Sequence, residues 1–206
     1  MDGFRLDIFV SVKSFAERVR YCEQMLGSPI GNGSSRIVFQ LDDYSVLKLA
    51  KNQKGVAQNL EEIKLGTEPY LSSFPKILNG SDENNGLWII SEAVLPAKAN
   101  DFRKVLGMPF KDIQEFIWGV VVGNSRGYNK YADKKVHELY AKYEENDDVM
   151  ELFNDLYELY CGFDNDIGDL KRICNWGMCN RDGVTRIVIL DVGFSGEIRD
   201  KYYRHG

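Results

Sequence analysis

The sequence changes pattern at Pro96. Before it, the runs "IGNGSSRIVFQL", "SVLKLA" and "LWIISEA" have the length and spacing of short β-strands. Helical periodicity in that part is confined to residues 12–26 and 55–66. After Pro96, apolar residues recur every three or four positions, and strand character returns only near the end. There the chain predicts a hairpin turning at Asn180-Arg181-Asp182-Gly183, followed by the strand Ile187-Val188-Ile189-Leu190. Strands gathered in one stretch and helices in another predict an α+β fold. The division expected is a β-rich region over residues 1–96 and a helical region with a terminal hairpin over 97–206.

The helices follow from local signals. Val12, Phe15, Ala16, Val19, Cys22, Met25 and Leu26 share a face, which predicts an amphipathic helix over 12–26 closed by Gly27-Ser28-Pro29. Asn100 or Asp101 is expected to cap a short helix, and Pro109 to open a longer one with Phe110, Ile113, Phe116, Ile117, Val120 and Val121 on one side. Two more helices are expected near 132–144 and 148–160. At 206 residues and 44% hydrophobic, the chain can build a packed core. A net charge of −5, with acidic clusters at 144–148 and 164–169, argues against binding nucleic acid or an anionic membrane surface. Arg5 and Asp7 interrupt the apolar stretch near the start, and no apolar run approaches a membrane span. The four cysteines form no Cys-x-x-Cys, so a soluble cytoplasmic protein without a zinc site is expected.

Several residues point to chemistry, each beside a plainer role. Gly31-Asn32-Gly33 with Val38 fits the opening of a phosphate-cradling loop, though such pairs also make ordinary hairpin turns. Lys48 lies inside an apolar strand, facing either water or a cleft where it would meet a carboxylate and phosphate oxygens. Glu61 and Glu62 sit on the following helix, and Glu62 is the chosen partner. Asp191 ends an apolar strand just before Gly193, where a charge needs a partner such as a metal ion. The hairpin can bring Asn175 beside it, and one or two protein oxygens suit magnesium. The plainer roles are a turn for Asn175 and a cap for Asp191.

Taken in order, these elements resemble the protein kinases, and in particular small kinase-like proteins of bacteriophages. The resemblance covers residues 27–195 and implies a two-lobed kinase-like fold, with a small β-rich lobe and a truncated helical lobe. It implies ATP and Mg²⁺ as ligands. Gly31 and Gly33 would cover the phosphates, and Lys48 would bind them while paired with Glu62. Ile90 would be the gatekeeper, with Ser91, Glu92 and Ala93 forming the hinge that meets adenine. Asn175 and Asp191 would hold the metal. The chain departs from the pattern in three places. Asp169, the candidate base, stands six positions before Asn175 instead of five, with Asp166 as its substitute and a cap at "GDLKR" as its structural role. Arg36 stands where the third glycine belongs. Thirteen residues follow Asp191-Val192-Gly193, without an Ala-Pro-Glu segment. The resemblance therefore implies either phosphoryl transfer to a hydroxyl acceptor or a pseudokinase that binds a host or viral protein in the host cytoplasm.

Overall fold

The strand pattern of the first region becomes one antiparallel sheet. Its strands are β1 (Gly31–Asn32), β2 (Arg36–Gln40), β3 (Ser45–Ala50), β4 (Ile77–Gly80) and β5 (Trp88–Glu92), in the order β1-β2-β3-β5-β4. The computed structural model describes residues 3–80, 85–124, 129–163, 165, 167–190 and 201. Lys48 stands opposite Val38 on β2 and Ile89 on β5, and Val46 stands opposite Ser91. Side chains alternate along a strand, so Arg36, Val38, Val46, Lys48, Ile89 and Ser91 share one face. Phe39, Leu47, Leu49 and Ile90 share the other.

Each face is covered by helix. α1 (Leu6–Ser11) and α2 (Phe15–Leu26) bury Phe9 and Cys22 against Phe39, Leu47, Leu49, Trp88 and Ile90. The sequence predicts one helix from residue 12. Instead the chain breaks at 12–14, and Ser14 caps α2 by accepting from the Glu17 N–H. Cys22 is buried on the expected face, whereas Phe15 and Met25 stay about 40% exposed, because Phe9 of α1 fills the core beside Cys22. On the other face lies α3 (Gln53–Gly66), capped by Asn52, whose Oδ1 accepts from Gly55 N at 3.1 Å.

The second part begins with β6 (Leu95–Pro96), then α4 (Ala99–Leu106), α5 (Phe110–Asn124), α6 (Lys130–Lys142) and α7 (Asp147–Cys161). α4 starts earlier than expected: its cap residue is Lys98, two residues before Asn100 and three before Asp101, and the Asp101 carboxylate accepts the Lys98 N–H at 2.9 Å. Phe116 of α5 stacks on Phe153 of α7 with ring centroids 4.0 Å apart, and Tyr140 of α6 meets both edge-on. β7 (Trp176–Arg181) and β8 (Val184–Ile189) form the expected hairpin, with β6 on its edge. Asp182 and Gly183 turn it with φ of 54° and 81°, the left-handed pair that matches strand twist. Asn180 Oδ1 accepts the Gly183 N–H at 3.0 Å.

Two compact units result, but they do not divide at Pro96. The first comprises residues 1–67 and 76–93, the second 68–75 and 94–206. Residues 68–75 join the second because their backbone is held there. The buried Asp155 carboxylate accepts from Ser72 N and Ser73 N, and Arg181 donates to Ser72 O and Phe74 O. Ile189 N also donates to Ser73 O at 2.8 Å. Among the described residues no helix is long and apolar enough to cross a membrane.

α3 approaches the sheet closely through Gly55. A Cβ there would lie 2.2 Å from Ser35 O and 3.1 Å from Ala50 Cα. Alanine ordinarily favours a helix over glycine by about 1 kcal/mol, but this contact involves unyielding backbone. Gly55→Ala is therefore expected to lower stability by about 1–3 kcal/mol in a denaturant melt. A neutral or stabilising result would show that α3 can move away from β2 freely.

Candidate functional site

The charged centre of the first unit is Glu62, at the sheet-facing side of α3. Its carboxylate is almost fully buried, and Lys48 Nζ on β3 donates to its Oε2 at 2.6 Å, the pairing expected from the order of motifs. A second cation was not expected. Arg36, at the start of β2, donates through Nη1 to Glu62 Oε1 and to Asn59 Oδ1. Lys48 and Arg36 are themselves only 12% and 17% exposed at the side chain. Their common strand face is the signal that would have found Arg36: it stands two residues before Val38, the neighbour of Lys48.

The electrostatics follow from this enclosure. Burial pushes the Glu62 carboxyl up, but Arg36 and Lys48 outweigh it and hold the group down at about 2, against 4.5 ordinarily. A carboxylate depressed on folding adds stability above its unfolded pKa and loses it as pH falls through the folded one. Stability should therefore fall between about pH 4.5 and 2 as Glu62 takes up its proton. Glu62→Gln is expected to flatten that part of the melting-temperature profile. An unchanged acid slope in the variant would mean that other carboxylates set it.

Around this centre α3 is tied to the turn between β1 and β2. Ser35 Oγ donates to Gln58 Oε1 at 2.6 Å, Asn52 Nδ2 to Ser34 O at 3.1 Å and Asn59 Nδ2 to Gly86 O at 2.8 Å. The glycine turn is closed on itself: Gly33 N donates to Arg36 O, and Lys51 Nζ donates to Asn32 Oδ1 and Gly33 O. Neither Gly31 nor Gly33 has a left-handed backbone or a contact that excludes a side chain. Gly31 lies opposite Val38, so these two, Lys48 and Glu62 are brought together, while the Gly33 amide is already used.

The β5 residues need correction. Ile90 belongs to the core cluster beside Phe9 and Leu47, on the sheet face away from Lys48, so it is not a gatekeeper on the Lys48 side. The β5 residues on the Lys48 face are Ile89 and Ser91, and Ser91 is fully buried with a hydroxyl that finds no partner among the described residues. A single-residue slip in reading a strand moves a side chain to the opposite face. The Glu92 amide donates to Lys76 O at 2.9 Å and the Ala93 amide to Tyr44 O at 2.7 Å. These two N–H groups do not fit the task of meeting a base.

In the second unit the stretch from Asp169 to Asn175 lies in two 3₁₀ turns, Gly168–Lys171 and Ile173–Asn175. Asn175 Nδ2 donates to Asp169 O at 2.9 Å, and among the described residues its Oδ1 meets only the Cys174 thiol, at 3.6 Å. That oxygen suits a hard cation. Leu190 N donates to Asn175 O at 2.8 Å. Asp191 itself lies outside the described residues, as does Asp166. Asp169 is exposed inside the first turn, whose cap position is Ile167 without a side-chain bond, so Asp169 is not that cap. No model of a known protein family matches the sequence, and no curated protein matches it.

Proposed function

We propose that the chain is a kinase-like protein that binds ATP and Mg²⁺. The observation that carries this reading is the buried Lys48–Glu62 pair, which joins the third strand to the helix that follows it. Kinases require that pair to place a lysine on the nucleotide phosphates. Lys48 has the role of phosphate ligand here, with Glu62 fixing its direction. Asn175 and Asp191 are the residues that would hold Mg²⁺, which neutralises phosphate charge when bound. If the protein is active, the reaction is transfer of phosphate to a hydroxyl acceptor, and Asp169 is the group to orient it.

A second reading, a pseudokinase that binds a host or viral protein, is favoured by the amides of Gly33, Glu92 and Ala93. Each is already bonded within the protein, so the backbone donors of a nucleotide site are depleted. Melting the protein with and without Mg-ATP, followed by an assay of ATP turnover, separates the readings. Binding with turnover supports the enzyme, and binding alone supports the pseudokinase. No rise in melting temperature would remove the nucleotide-binding proposal.

Lys48→Met sharpens the test, because Arg36 still neutralises Glu62 in that variant. The variant is expected to fold, with a loss of roughly 1–3 kcal/mol, and to lose the Mg-ATP shift. Asp169→Ala is expected to change stability by less than about 0.5 kcal/mol, since the side chain is exposed. Its turnover relative to wild type reports whether the carboxylate is a base.

A further inference from the structure

Arg36 raises a question that the Lys48–Glu62 pair alone does not. Two full positive charges meet one carboxylate, all three largely shielded from water. The cluster carries a net charge of plus one, and no other carboxylate pairs with either cation among the described residues. An unbalanced charge in a shielded setting is costly, and an anion is what relieves it. The donors for one are present. Arg36 uses Nη1 for both Asn59 and Glu62, so Nε and Nη2 have no partner among the described residues. Lys48 spends one of its three ammonium protons on Glu62.

We propose that Arg36 and Lys48 form a site for a phosphate group that needs no metal ion, with Glu62 as their shared counter-ion. This rests on the nucleotide-binding reading and adds to it a charge that metal would otherwise supply. The guanidinium offers a planar pair of donors that matches two phosphate oxygens, and the ammonium a point charge beside it. Arg36 also keeps Glu62 neutralised when Lys48 turns toward an anion, so capturing the phosphate does not leave a bare carboxylate in the interior. The shift of a single residue from glycine to arginine at the base of the turn would thus relax the metal requirement of the site.

The test is the melting temperature of the full chain with inorganic pyrophosphate or ATP, each in excess EDTA and again with Mg²⁺. Wild type is expected to be stabilised by both ligands in EDTA. Arg36→Gln, which keeps a hydrogen bond to Glu62 and removes the charge, is expected to weaken metal-free binding about ten- to a hundredfold. Arg36→Lys should recover part of it, a pattern that a merely structural arginine would not give. Circular dichroism of both variants checks that they fold, and Arg36→Lys retains the ion pair if Arg36→Gln does not. Stabilisation by Mg-ATP but by neither ligand in EDTA overturns the proposal and leaves nucleotide binding intact. So does metal-free binding that survives Arg36→Gln. Stabilisation under no condition overturns both.

Discussion

The buried carboxylate of Glu62 is the interaction on which the first unit depends. A carboxylate with so little access to water stays charged only because two cations reach it from two neighbouring strands. Those contacts in turn fix α3 against β2 and β3, since both oxygens are committed to side chains of the sheet. The other ties along the helix, from Asn52, Gln58 and Asn59, lie on the same side and run to the turn and to Gly86. Gly55 supplies the room for this close approach. A helix held at so many polar points cannot shift without exposing several buried groups at once, each expensive to leave unmet.

The second unit solves a different problem by similar means. Residues 68–75 have little regular structure, so their backbone groups need partners from elsewhere. Asp155 accepts two of their amides and Arg181 donates to two of their carbonyls. Burial pushes the Asp155 carboxyl up, and the bonds from the Ser72 and Ser73 region pull against that rise without cancelling it. The segment is therefore part of the second unit by hydrogen bonding, although it lies in sequence between elements of the first.

The two faces of the sheet assign its residues to different work. Leu47, Leu49, Phe39 and Ile90 pack under α1 and α2, whereas Lys48, Arg36, Val38 and Ser91 face the side of α3. Strand alternation is a strict rule, and it separates neighbours as different in consequence as Ile90 and Ser91. The Ser91 hydroxyl, buried without a partner among the described residues, and the two cations that meet Glu62 give that face its polar character.

Much of this was legible in the residues. The strands β2, β3 and β5, the terminal hairpin with its Asp182-Gly183 turn, α3 and the long helices follow from periodicity and turn chemistry, which act over a few residues. Lys48 with Glu62 was also legible, because a charge in an apolar strand and a glutamate on the next helix point to each other. The break between α1 and α2 was not, since it depends on Phe9 finding a place beside Cys22 in the core. Nor was the membership of residues 68–75, which is decided by Asp155 and Arg181, about 80 and 110 positions away along the chain. The role of Arg36 shows the same limit: a missing glycine is visible in the sequence, but only register and the reach of a guanidinium across two elements make it the second partner of Glu62. Local order is written in neighbouring residues, whereas a shared counter-ion exists only once distant elements are packed together.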